Sequence, residues 1–159
     1  MASNSAVRDS NSGRALAFDL KRATPVVPEI WAGFLTILVA GPWLGGGYIF
    51  GTDWPGPRRF DFPNGLSSLA PVQALLAVAS RVASAEWTGK LFVLGMLFVA
   101  ASTAYRAVPR GGFIPRSVAA TVYLFNPFLF GRLHYGQLFL VAGYALLPWV
   151  ANRSRRLLQ

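Results

Sequence analysis

Residues 88–106 read TGKLFVLGMLFVAASTAYR, and no charged residue occurs between Leu91 and Tyr105. A run of this length, bounded by Lys90 and Arg106, is typical of a helix that crosses a lipid bilayer, because the bilayer core excludes charge. Further apolar runs lie on both sides of it in the chain. The sequence therefore predicts an all-α, polytopic integral membrane protein.

The composition supports this class. Of 159 residues, 53% are hydrophobic and 13% are charged, whereas a soluble domain carries roughly 25% charged residues. The net charge of +9 comes from basic residues that flank apolar segments, so we expect no nucleic-acid partner. The chain has no cysteine, which excludes disulfides and thiolate metal sites, and its single histidine, His134, argues against a zinc site.

About four transmembrane helices are predicted within the module 26–150. The first is 26–50, where Pro28 suits a helix start and the regular helix should weaken near Gly41-Pro42. The second is 88–106. Residues 117–130 and 136–150 are also apolar, but each is short for a crossing, so one or both are alternatively broken or only partly inserted.

The outer loop 51–87 separates the first two spans. Its residues 51–66 are rich in proline, glycine and charge. In 67–85, apolar residues recur at helical spacing, while Gln73 and Arg81 fall on the other side, as expected for an amphipathic helix at the interface. A fifth, short span is the competing interpretation.

The basic residues predict the orientation. Ten lysines and arginines fall in the segments that four spans would place inside, and five in the outer segments. Cytoplasmic segments carry the excess of positive charge. We therefore expect a multi-pass protein of the cell membrane with a disordered tail 1–25 and a basic tail 151–159, both in the cytoplasm.

Four residues of the outer loop are candidates for chemistry. Asp53 and Asp61 are its only acids, close to Arg58 and Arg59. A carboxylate at the mouth of a membrane cavity can act as a general base or bind a divalent cation, and arginines can hold a phosphate. Alternatively, the two aspartates are solvated turn residues paired with the arginines.

A second group of polar residues interrupts the last apolar region: Asn126, Arg132, His134 and Gln137. Polar groups at membrane depth are costly unless they face a cavity or a partner, so these residues are candidates for substrate binding. The alternative is a hairpin turn at the outer surface. Glu86 is interpreted as interfacial and Lys90 as a side chain that extends to the interface, and small residues such as Gly95 and Ala100 as helix-packing positions.

Three motifs follow one another along residues 25–150. They are Gly-Thr-Asp53-Trp-Pro after the first span, Trp87-Thr-Gly-Lys90-Leu before the second, and Asn126-Pro127-Phe128 through Arg132 and Gly136-Gln137 to Gly143-Tyr144-Ala-Leu-Leu-Pro148-Trp149. This order resembles the N-terminal part of polytopic glycosyltransferases of the GT-C type. These are prokaryotic envelope enzymes, related to arabinosyl- and mannosyltransferases, that use polyprenyl-phosphate sugars.

The resemblance implies a function. Asp53, with Asp61 as the second choice, would act as base or metal ligand while an acceptor hydroxyl attacks the sugar of a lipid-phosphate donor. Proteins of this type usually have eight or more spans, so a partner chain or a further part of the gene product would supply the remaining helices. The alternative function is a non-enzymatic membrane subunit for assembly or transport.

The orientation is testable with single cysteines, which can be introduced freely because the chain has none. We expect cysteines in 1–25, 107–115 and 151–159 to react with an impermeant maleimide only after the cells are opened, since these segments are predicted to be cytoplasmic. Strong labelling of a cysteine at Ser12 from outside intact cells would overturn the assignment.

Overall fold

The computed structural model describes residues 26–47, 58–65, 67, 69–108 and 112–158. Every regular element in these ranges is helical, which confirms the predicted all-α class. The predicted tail 1–25 and Asp53 lie outside the described residues. The elements are α1 (Val27–Ala40), a 3₁₀-helix (Gly41–Leu44), α2 (Ala70–Ala79), α3 (Ala85–Ala107), α4 (Phe113–Leu124), α5 (Pro127–His134) and α6 (Leu138–Leu157).

The first helix changes its geometry at the predicted position. Pro28 lies in the first turn of α1, where a missing N–H is tolerated. Pro42 cannot donate to the carbonyl of Leu38, and the chain tightens into the 3₁₀-helix at Gly41. Gly47 then adopts a φ of 110°, which glycine tolerates best. The weakening predicted at Gly41-Pro42 is confirmed.

Helix α3 lies at the centre of the bundle. The side chain of Ser84 caps its first turn by accepting the N–H of Trp87 at 3.3 Å. Its faces pack against α1, α4 and α6, and Ala100 and Ala101 have no exposed surface. The predicted packing role is confirmed for Ala100 and wrong for Gly95, which is exposed and has open space where a side chain would begin.

Helices α1 and α3 run antiparallel, and contacts join them near both ends of α1 and the 3₁₀-helix that follows it. At one end Arg106 pairs with Glu29, and at the other the Lys90 ammonium donates to the carbonyl of Gly45 at 2.6 Å. In the described ranges two helical segments are long and apolar enough to cross a membrane, Val27–Leu44 with 18 residues and Ala85–Ala107 with 23.

The remaining helices α4, α5 and α6 form a hairpin against α3. The Thr103 hydroxyl donates to the Ala145 carbonyl at 2.9 Å. The length of α3 from Thr103 back to its first residue, Ala85, is about 27 Å at roughly 1.5 Å per residue. The length of α6 from Ala145 back to its first residue, Leu138, is only about 10 Å. The N-terminal end of α6 therefore lies roughly 17 Å short of the N-terminal end of α3, measured along the helices.

The structure bears on two segments for which the sequence left alternative conformations open. Segment 117–130 is broken, because α4 ends at Leu124 and Asn126 caps a new helix. Segment 67–85 contains α2, whose ten residues reach about 15 Å and thus cover only about half of a bilayer core. That length favours an interfacial helix over a fifth span.

Lys90 was predicted to extend its side chain to the interface, but this side chain is buried inside the protein. It is 2% exposed, and its ammonium donates to Oε1 of Glu86 at 2.6 Å as well as to Gly45. The same Glu86 oxygen accepts the backbone N–H of Gly47 at 2.9 Å. This pair therefore fastens the glycine segment after α1 to the first turns of α3.

We expect Lys90→Met to lower the free energy of unfolding by about 2 kcal/mol, because the substitution removes charge-assisted hydrogen bonds from a buried position. Unfolding of the purified protein in detergent, followed by tryptophan fluorescence, measures the change. The control is Arg153→Met at an exposed position, with a change within about 0.5 kcal/mol. Equal stability of Lys90→Met and the parent would show that the pair contributes nothing.

Candidate functional site

A cavity of about 390 Å³ lies beside the C-terminal end of α2. Its volume falls in the range of small-molecule sites. Three arginines and one acid give it a positive character. The residues that line it are Arg58, Arg59, Phe60, Asp61, Phe62, Ala77, Ser80 and Arg81.

The structure brings the predicted residues Arg58, Arg59 and Asp61 together in this cavity and adds Arg81. Nε of Arg59 lies 3.8 Å from Oδ1 of Asp61, and both side chains are 84% exposed, so their attraction is weak. The guanidinium of Arg81 lies over the ring of Phe62 at 5.0 Å, which orients it by a cation–π contact. The cavity can thus offer several guanidinium donors to an anion.

The aspartates were predicted as catalytic. Asp61 is the acid that the structure places in the cavity, whereas Asp53 lies outside the described residues. Among the residues that are described, no three side chains of the metal-binding types His, Cys, Asp or Glu lie together. The exposure of Asp61 also fits its alternative role as a solvated turn residue. The role of a divalent cation stays a prediction.

The second predicted group gathers at the hairpin, away from the cavity. The side-chain Oδ1 of Asn126 accepts the N–H of Leu129 at 3.0 Å and so caps α5. Arg132 donates to Oε1 of Gln137 at 2.6 Å and lies over the Phe128 ring at 5.1 Å. These three polar side chains therefore bond mainly to the hairpin itself.

His134 takes no part in that network. Its ring meets the neighbouring Tyr135 edge to face at 5.7 Å, and it is exposed at the end of α5. Neither His134 nor Asn126, Arg132 or Gln137 lines the 390 Å³ cavity. Sequence proximity grouped His134 with the other three, but the structure leaves it separate from their hydrogen bonds.

Two tyrosines that the sequence did not single out join α4 to α6. The Tyr123 hydroxyl donates to the Tyr144 carbonyl at 2.7 Å, and the Tyr144 hydroxyl donates to the Tyr123 carbonyl at 2.8 Å. Their rings stack at 4.2 Å with an interplanar angle of 9°. The Asn126 amide donates to the Tyr123 carbonyl at 2.7 Å and also to the Tyr144 hydroxyl. We call this arrangement the tyrosine junction.

The tyrosine junction has a physical cause in two prolines. A helical carbonyl normally accepts the N–H four residues later, and the residues four after Tyr123 and Tyr144 are Pro127 and Pro148, which have no N–H. The Tyr123 hydroxyl thus satisfies the carbonyl that Pro148 leaves free inside α6. The Tyr144 hydroxyl, together with the Asn126 amide, satisfies the Tyr123 carbonyl at the C-terminal end of α4, where the chain leaves the helix before Pro127. The repeated pattern Tyr-X3-Pro was the sequence signal for this contact.

Neither a protein-family model, nor a curated protein, nor a solved structure matches this chain. The resemblance to GT-C-type glycosyltransferases therefore stays a prediction from the motifs.

The proline explanation predicts a specific coupling. We expect Tyr123→Phe to lower the free energy of unfolding by about 1 kcal/mol in the parent, because the Tyr144 carbonyl loses its donor. In a Pro148→Ala background the same change should cost clearly less, since the N–H of Ala at position 148 can now reach that carbonyl. Unfolding in detergent measures all four proteins of the cycle.

Tyr105→Phe is the matched control, because Tyr105 is a buried tyrosine on α3 that lies outside the tyrosine junction. We expect it to change stability equally in both backgrounds. The explanation would be contradicted if Tyr123→Phe lowered the free energy of unfolding by the same amount in the parent and in the Pro148→Ala protein.

Proposed function

We propose that this chain is the N-terminal membrane module of a GT-C-type glycosyltransferase and binds a polyprenyl-phosphate sugar at its basic cavity. The observation that carries the proposal is the cavity of about 390 Å³ that collects Arg58, Arg59 and Arg81 around Asp61. A phosphate bound to a lipid carrier needs such donors at the end of a membrane helix bundle. The motif order described above supports the same class of enzyme.

The proposed topology has α1 and α3 as full crossings. Their antiparallel contact over the whole length, from Arg106–Glu29 to Lys90–Gly45, suits two helices that cross together. The excess of basic residues then orients both termini to the cytoplasm and the cavity to the outer side. In this setting the α4–α6 hairpin enters from the inside as the third and fourth membrane segments.

The depth of the hairpin tip bears on Arg132 and His134. Because the N-terminal end of α6 lies roughly 17 Å short of the end of α3, Arg132, which bonds to Gln137 just before α6, would lie deep in the membrane region, and His134 follows it on α5. Charge at that depth requires protein partners or a water-filled space. Arg132 has Gln137 as such a partner.

The chemistry assigned to the cavity is transfer of the sugar to an acceptor hydroxyl. The guanidinium groups of Arg58 and Arg59 would hold the phosphate through forked, charge-assisted hydrogen bonds. A carboxylate would accept the proton of the hydroxyl as it attacks the sugar, and the lipid phosphate would leave. Asp53 or Asp61 would supply that carboxylate. The spans that complete the enzyme would come from a partner chain or a further segment.

One observation favours the second candidate function, a non-enzymatic membrane subunit. Asn126, Arg132 and Gln137, three of the side chains predicted to bind substrate, make hydrogen bonds within the hairpin. Residues that stabilise a turn at membrane depth serve assembly as well as they serve catalysis. The two functions differ in whether the outer cavity binds a lipid-phosphate sugar.

Donor binding separates them. We expect the double variant Arg58→Gln/Arg59→Gln to bind a short-chain polyprenyl-phosphate sugar at least about tenfold more weakly, since charge-assisted hydrogen bonds contribute roughly 1.5–3 kcal/mol each. Microscale thermophoresis with the purified protein in nanodiscs measures the affinity. The matched control is Arg153→Gln/Arg156→Gln, with the same loss of charge at the other end of the bundle.

The aspartates provide the second arm of this test. Asp53→Asn and Asp61→Asn should retain donor binding, and the one that acts as base should reduce sugar transfer by about 10²–10⁴-fold once the remaining spans are supplied. Equal losses in the two double arginine variants would indicate non-specific attraction. If the protein with both aspartates replaced transferred sugar at the parent rate, neither acid would be the base, and both would be turn residues.

A further inference from the structure

A second cavity, of about 290 Å³, lies at the opposite end of α3, where α3, α4 and α6 meet. Its walls are mainly small and apolar, with Ala104 and Ala107 from α3, Ala119 from α4 and Pro148 from α6. Alanines on three neighbouring helices leave space that no side chain fills. This space is distinct from the outer cavity, with which it shares no lining residue.

Three of the residues that line this inner cavity carry polar groups, and one of these, Tyr123, already donates its hydroxyl to the Tyr144 carbonyl. Asn152 and Arg155 of α6 line it beside the apolar walls. The acids in the described part of the chain are Glu29, Asp61 and Glu86, and each lies beside another basic residue. No acid of the described ranges thus pairs with Arg155. The inner cavity thus combines an apolar interior with the exposed guanidinium of Arg155, which has no acidic partner among the described residues.

We propose that the inner cavity binds one anionic phospholipid. An acyl chain would occupy the space between the alanines, and the phosphate would bind the guanidinium of Arg155 and the amide of Asn152. Arginine suits phosphate because its planar group offers two parallel donors. The proposal rests on the membrane position of α1 and α3 proposed above, but it does not depend on sugar transfer.

The position of the cavity gives the lipid a structural effect. Tyr123 lines the cavity, and its hydroxyl satisfies the carbonyl that Pro148 leaves free. A ligand that binds only the folded state raises stability in proportion to the logarithm of its concentration. An acyl chain packed against Tyr123 and Pro148 therefore stabilises the α4–α6 hairpin where its helices are interrupted.

Native mass spectrometry of the purified full chain in detergent tests the proposal, with phosphatidylglycerol and phosphatidylcholine of identical acyl chains as probes. We expect one phosphatidylglycerol to be retained at about tenfold lower concentration than phosphatidylcholine, a difference of roughly 1.4 kcal/mol. Arg155→Gln should reduce the retention of phosphatidylglycerol to that of phosphatidylcholine. Arg153→Gln, a neighbouring arginine that does not line the cavity, should leave it unchanged.

The apolar part of the site has its own variants. Ala107→Leu and Ala151→Leu place methyl groups in the cavity from two different helices, so at least one of them should fold and should weaken the binding of both lipids. Thermal unfolding with and without phosphatidylglycerol reports folding and the ligand-dependent rise in Tm for each variant. Unchanged lipid binding in a folded leucine variant would overturn the proposal.

Three further outcomes would also overturn it: equal retention of the two lipids, equal losses for Arg153→Gln and Arg155→Gln, or several phosphatidylglycerols bound without a first preferred one. The Arg58→Gln/Arg59→Gln protein distinguishes this site from the donor site. It should lose the polyprenyl-phosphate sugar and retain phosphatidylglycerol. Donor binding without a preference for phosphatidylglycerol would refute the inner site alone.

Discussion

Three helices approach the backbone of α3 closely because the residues between them are small. Ala100 and Ala101 have no exposed surface, and Ala104 is 5% exposed. In a membrane, where apolar side chains gain little from leaving lipid, close packing of this kind is a main source of helix association. The same small residues determine where space remains. Ala104 fills the gap between the helices incompletely, and the inner cavity lies directly beside it.

Backbone hydrogen bonding imposes the second constraint on this fold. Pro42 and Pro148 each remove a backbone donor, α4 ends before Pro127, and an unsatisfied carbonyl is expensive away from water. The chain responds with a 3₁₀-helix after α1 and with the tyrosine junction between α4 and α6. Several polar side chains of the hairpin therefore make hydrogen bonds with backbone groups. Asn126 illustrates this, because one amide group caps α5 and contacts both tyrosines.

The sequence predicted α1 and α3 well because length, hydropathy and proline position are properties of one segment at a time. It did not predict that Lys90 is buried, since its partner Gly45 lies 45 residues away. Arg81 is a similar case, because only the folded chain brings it to the same cavity as Arg58 and Asp61. The polar residues near Asn126 were interpreted as ligand-binding because a sequence does not show which hydrogen bonds they already make. The repeated Tyr-X3-Pro pattern did carry that information.

The arrangement of the two cavities argues for independent binding. The outer cavity is built on the segment before α3, and the inner one on the last turns of α3 and α6. Coupling between them would need an element with two arrangements that both ligands influence. Between them, α3 carries buried side chains such as Val93, Leu97 and Ala100. The tyrosine junction borders the inner cavity, and both of its hydroxyl groups have acceptors. A rearrangement there would remove the tyrosine donors from two carbonyls at once, which favours a rigid support. If the proposed lipid and the proposed sugar donor bind at these two cavities, we therefore expect the lipid to add stability and to leave the affinity for the donor unchanged.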